Sequence, residues 1–163
     1  MSAPRKLPGR AAGAEQALGA DVGASIFIDT SALYAIYNPR DRDHAAARSF
    51  LLDLRKQRVR LLTSSLVLVE SYILVHARTG REGLLRFRRA IAGSAWLKTV
   101  PVTTADEESA WTLLESRRDK EYSFVDAASF VVMRALELGE AFAFDDHFAQ
   151  EGFEVVPAVR PRR

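Results

Sequence analysis

Four acidic residues in this chain stand in company that does not suit them. Asp29 ends the short apolar run Ile26-Phe27-Ile28 and is followed by two hydroxyls, Thr30 and Ser31. Glu70 is the only charge between Leu66 and Val75, and Asp126 the only charge from Phe124 to Met133. Asp145 follows Ala141-Phe142-Ala143-Phe144, a second apolar run that ends on an acid. A buried carboxylate is costly and persists only with a partner or a task. Gathered in one place, four of them would repel and raise one another's pKa. Oxygen-only ligands suit hard cations, and Mg²⁺ or Mn²⁺ held by a few carboxylates typically joins substrate phosphates. One or two such ions activate water and stabilise the leaving oxygen in phosphodiester hydrolysis. Thr30 or Ser31 would then support a carboxylate through a hydrogen bond.

Each acid also has a plainer reading. Glu70 can face a solvent-exposed strip of its helix or pair with an arginine. Ser123 followed by Asp126 has the pattern of a capping box, and a first-turn acid is favoured by the helix dipole. A single Asp after a strand is usually a turn or helix cap. Capping and chemistry are compatible, because a helix can begin at the crevice where strands end. Two strands that both end on acids, with two more acids in apolar helical runs, favour a shared site.

The elements that must position these residues follow from periodicity. Ile26 to Ile28 reads as a buried strand, so Asp29 sits where a strand gives way to a helix. Ala46, Ala47, Phe50, Leu51 and Leu54 recur at helical spacing between about Asp43 and Arg58. Arg60 to Thr63 is a short strand, and Ser64 or Ser65 caps a helix from Leu66 to about Arg78, closed by Thr79-Gly80. That helix is apolar almost all round, which predicts that it is largely buried. A shorter helix runs from Glu82 to Ala92, and Trp96 to Val102 is a strand. Thr103 or Thr104 caps a helix through Ser116, with Asp106, Glu107 and Glu108 in its first turn. A helix from Ser123 to Leu138 ends at Gly139. Ala141 to Phe144 and Phe153 to Val156 are the last strands. Strands alternating with helices predict a parallel sheet covered on both faces, with ligands at the carboxyl ends of its strands.

The 163 residues, 48% hydrophobic, suit one domain with a sizeable core. The formal charge of +2 is too small to indicate a nucleic-acid partner by itself, and the arginines of Arg160-Pro161-Arg162-Arg163 leave the remainder slightly negative. The absence of cysteine excludes a disulfide scaffold, a thiolate zinc site and a cysteine nucleophile, and agrees with a reducing cytoplasm. No apolar run approaches the roughly 20 residues of a membrane span.

Asp29-Thr30-Ser31-Ala32-Leu33, Glu70 in a helix after a Ser-Ser start, Ser123-Phe124-Val125-Asp126-Ala127 and Ala141-Phe142-Ala143-Phe144-Asp145-Asp146-His147-Phe148 resemble, in order and spacing, the PIN-domain nucleases. The resemblance implies a three-layer α/β/α sandwich with a central, mainly parallel sheet over residues 25–157. Residues 1–24 are then a flexible extension and 158–163 a basic tail. It also implies a Mg²⁺- or Mn²⁺-dependent ribonuclease site of Asp29, Glu70, Asp126 and Asp145, with Thr30 or Ser31 in support. In size the chain is similar to the VapC-type toxins, which act on RNA, form homodimers and are neutralised by a small antitoxin protein. It departs from the family pattern twice. Ala143 stands where a Ser or Thr is common, and Asp146 where a basic residue is common.

Arg81, Arg86, Arg117 and Arg118 are candidate RNA contacts. His44, His76 and His147 are expected in structural or surface roles, and Trp96 and Trp111 in core or interface positions. Two other functions compete. An aspartyl-phosphate enzyme of the haloacid dehalogenase kind needs a second Asp two residues after Asp29, where Ser31 stands. A catalytically weak PIN-like module would bind RNA or protein without cutting.

Overall fold

A computed structural model describes residues 24–158. The rest of the expected N-terminal extension and basic tail lies outside the described residues. In chain order the elements are β1 (Ser25–Ile28), α1 (Thr30–Tyr37), α2 (His44–Lys56), β2 (Arg60–Ser64), α3 (Ser65–Ala92), β3 (Leu97–Val100), α4 (Thr104–Ser116), α5 (Phe124–Ala135), β4 (Glu140–Phe142), α6 (His147–Gln150) and β5 (Glu154–Val156).

The five strands form one sheet in the order β3-β2-β1-β4-β5, and every pairing is parallel. The sheet is therefore entirely, not mainly, parallel. Right-handed crossovers carry the chain first from β1 toward β3, then back across to β4 and β5. They place α1, α2 and α3 on one face and α4, α5 and α6 on the other. In keeping with this, α1 packs on α2 and α3, and α5 packs on α4 and α6. Phe27, Ile28, Leu61, Leu62 and Phe142 are almost wholly buried between the layers.

The direction of winding reverses between β1 and β4. In an open α/β sheet that reversal opens a crevice at the carboxyl ends of the two strands, where ligands bind. Three contacts fix the strand ends there. The Asp29 N–H donates to the Phe142 carbonyl at 3.0 Å. Thr63 Oγ1 donates to the Ile28 carbonyl at 3.0 Å. The Phe144 N–H donates to Ser31 Oγ at 3.0 Å.

Several boundaries differ from the sequence reading. α5 stops at Ala135 because Glu137, not Gly139, takes the left-handed turn (φ 55°), with the Leu138 N–H returning to the Met133 carbonyl. β3 is trimmed to Leu97–Val100 at one edge of the sheet. α3 runs on through Gly80, but that residue has φ 69° and ψ −173°, so the two expected helices abut across a sharp kink. α3 is also not buried all round. Val69 is 52% and Ile73 66% exposed, which makes one face apolar and uncovered by the described residues.

Candidate active site

Asp29 is the N-cap of α1, in extended conformation between β1 and the helix. Its Oδ2 accepts from the Ser31 N–H at 3.0 Å and from Ser31 Oγ at 2.9 Å. Ser31 Oγ in turn accepts from Phe144 N–H, so one hydroxyl links the ends of β1 and β4. Thr30, also buried, serves a different acid. Its Oγ1 donates to Glu70 Oε2 at 2.5 Å and lies 3.4 Å from the Val67 carbonyl. The pair Thr30-Ser31 thus holds Glu70 and Asp29 respectively.

Asp126 closes the capping box of α5: Ser123 Oγ accepts from the Asp126 N–H at 3.0 Å, and Asp126 Oδ2 accepts from the Ser123 N–H at 2.7 Å. The same Oδ2 lies 2.9 Å from His147 Nδ1. Capping uses one oxygen of Asp126, and the α3–α5 packing brings this helix start toward Glu70. Asp145 follows β4 and accepts the His147 N–H on Oδ1 at 3.0 Å.

The electrostatics show that these acids sense one another. Burial, together with the neighbouring Asp145 charge, pushes the Asp29 carboxyl from 3.8 up to about 7, against the Ser31 hydrogen bonds that lower it. Glu70 is raised by burial, lowered by the Thr30 hydrogen bond, and raised again by Asp126 and Asp145. The four sequence-predicted acids therefore meet at one end of the sheet. They form an open, mutually repelling set; among the described residues no three acids or imidazoles stand close enough to enclose a cation as they are. The donor set still suits a hard divalent cation, being oxygen only. A buried carboxyl disfavoured by a second acid is a charge that such a cation would compensate.

His147 stands beside these acids, part exposed, with its ring against Asp126. The sequence signal was its position two residues after Asp145, in the turn that follows β4. His44 is structural, with Nδ1 2.7 Å from the Ala35 carbonyl, and His76 is exposed. The two departures from the family pattern differ in place: Ala143 is fully buried and its N–H reaches the Val156 carbonyl at 3.3 Å, while Asp146 is exposed.

The candidate RNA contacts divide. Arg117 is engaged with Glu151 through Nε at 3.1 Å and Nη2 at 3.2 Å. Arg134 reaches the same carboxylate at 2.6 Å. Burial works against the Glu151 charge, but the two arginines outweigh it and hold the carboxyl below its usual range. Arg117 thus ties the end of α4 to the turn after α6. Arg86 pairs with Glu82 at 2.6 Å on an exposed face, and Arg81 and Arg118 are exposed.

Residues 26–154 match the PIN domain. The chain belongs to the PIN-domain family. Among its PIN-domain relatives, the 23S rRNA-specific endonuclease VapC20 of Mycobacterium tuberculosis is 40% identical over 133 residues, covering 81% of this chain and 98% of the relative. Ribonuclease VapC26 of the same organism is 33% identical over 107 residues, covering 66% of this chain and 76% of the relative. The crystal structure of VapC20, described as a sarcin-ricin loop cleaving toxin, superposes with a TM-score of 0.71 at 36% identity. That match covers 83% of this chain and 99% of the other. The PIN fold also matches VapBC2 from Rickettsia felis, bound to a promoter DNA fragment, with a TM-score of 0.62 and 14% identity, over 80% of this chain and 96% of that one.

Proposed function

We propose that this PIN domain is a divalent-metal-dependent endoribonuclease and the toxin of a toxin–antitoxin pair. The observation that carries the reading is the meeting of Asp29, Glu70, Asp126 and Asp145 at the sheet's reversal point, where burial, and after it the neighbouring acids, raise Asp29 and Glu70. Relatives named as ribonucleases of the VapC kind support RNA as the substrate.

The four carboxylates would hold Mg²⁺ or Mn²⁺. When bound, such an ion neutralises charge at a phosphate and acidifies water for attack on phosphorus. The chain's own residues do the positioning. Ser31 fixes Asp29 to the end of β4, Thr30 orients Glu70, and Ser123 with His147 orients Asp126. A module that binds without cutting gains no support from Asp146, which faces solvent.

A small antitoxin as partner and the cytoplasm as location belong to this reading. Among the described residues no helix is long and apolar enough to cross a membrane. A homodimer is supported by the exposed Val69 and Ile73, one helical turn apart on α3.

The direct test is cleavage of a structured RNA pool, ribosomal RNA first, in Mg²⁺, Mn²⁺ and chelator. Discrete metal-dependent products are expected from the native protein. Asp29→Asn, close in shape, should fold and lose at least about a hundredfold in rate, as loss of a key electrostatic group does. Undiminished cleavage by Asp29→Asn sinks the assignment.

A further inference from the structure

A cavity of about 270 Å³ opens directly beside the acids, walled by Ser31, Tyr34, Leu74, Arg78 and Phe144, with Arg42 at its side. It is smaller than the roughly 300–1,000 Å³ of drug-sized ligand sites. It is also continuous with the catalytic machinery: Ser31 is the residue that holds Asp29, and Phe144 adjoins Asp145. Both aromatic walls are braced. The Tyr34 hydroxyl accepts from Asn38 Nδ2 at 3.0 Å. The Phe144 N–H is bound to Ser31, and its ring meets Phe142 edge-on at 5.9 Å.

One helix face runs from the acids into this cavity. Glu70, Leu74 and Arg78 follow at i, i+4 and i+8 on α3, before the break at Gly80, so Arg78 stands roughly 12 Å along the axis from Glu70. Arg78 is exposed, and no ion pair engages it among the described residues. Two acids, Asp41 and Asp43, line the cavity as well. Asp43 pairs with Arg42 at 3.2 Å, and Asp41 accepts the Asp43 N–H at 2.9 Å.

We propose that this cavity receives the base of the nucleotide next to the scissile phosphate, between Tyr34 and Phe144, while Arg78 holds the phosphate on that nucleotide's far side. The inference rests on the ribonuclease reading and adds where the strand lies. Unpaired RNA is recognised by bases splayed onto aromatic side chains, and stacking accepts any base. Arginine supplies the phosphate contact that fixes register.

The test is photo-crosslinking of the full-length Asp29→Asn protein to a single-stranded RNA pool containing 5-iodouridine, with crosslinked peptides mapped by mass spectrometry. Native protein is assayed for cleavage of the same pool without the label. Crosslinks are expected on Tyr34 or Phe144. Adding Arg78→Ala should lower them about fivefold, and Arg48→Ala, on the exposed side of α2, should leave them within about twofold. Crosslinks confined to α4 and α5, or absent altogether, overturn the proposal, as do cavity crosslinks indifferent to Arg78. The two readings fail separately. Cleavage without cavity crosslinks removes the base site and leaves the nuclease; cavity crosslinks without cleavage remove the nuclease and leave the cavity a base site with no scissile phosphate beside it.

Discussion

Asp29 is pulled in opposite directions by its surroundings, and the balance sets a pH window. Burial and Asp145 hold its proton up to about pH 7, whereas the unfolded chain releases it near 3.8. Between those values the folded state binds more protons than the unfolded one. The contribution of Asp29 to stability is therefore fully present below about pH 4 and is lost as pH rises through 7. A divalent cation binds the carboxylate form, so its affinity should rise across the same window. Melting curves from about pH 5 to about pH 8, in chelator and in Mn²⁺, should show the metal-induced gain in Tm widening with pH. A gain independent of pH would mean that Asp29 is not where the cation sits. Asp29 and Asp145 are legible in sequence because each ends a short apolar strand. Asp126 is legible as an acid in an apolar run, and its capping bond is legible too. For His147 only the position two residues after Asp145 is legible; its contact with Asp126 spans 21 positions and depends on how α6 packs on α5.

At the scale of elements, α3 carries most of what the sequence left ambiguous. Gly80 sits at φ 69° and ψ −173°, a conformation essentially reserved for glycine. Past it, the Gly83 carbonyl accepts the Tyr37 hydroxyl at 2.9 Å, which seats the second half of the helix against α1. Gly80→Ala meets no crowding, since no atom lies within 4 Å of the added methyl. Its cost is therefore the backbone alone, about 1–3 kcal/mol in urea denaturation. Because Glu70 and Arg78 both precede the break, the cleavage rate of the folded variant should match the native one. A large loss of rate would mean that the second half of α3 feeds back on the acids. The break itself is legible, since Thr79-Gly80 interrupts the periodicity. The exposure of Val69 and Ile73 is not, because an apolar residue looks the same whether its neighbours come from its own chain or another.

For the molecule as a whole, the alternation of strands and helices suffices to read a parallel sheet, but the strand order comes from non-local pairing with no local signature. The order matters because it sets β1 beside β4. Outside that core, Trp111 packs on Phe124 at 4.6 Å yet remains 53% exposed, and on α3 Val69 and Ile73 are apolar side chains that the described residues leave in water. Ile73→Glu should convert a dimer into a monomer by light scattering, at nearly unchanged monomer stability, since the side chain is 66% exposed. If the native protein is already monomeric, this face has another use.

The bond from Phe144 to Ser31 closes a loop across 113 residues. Neither Asp29 nor Asp145 has its neighbour until β4 settles against β1. A domain that folds as a unit therefore brings these two acids together only once everything from β1 to β4 has been synthesised and packed.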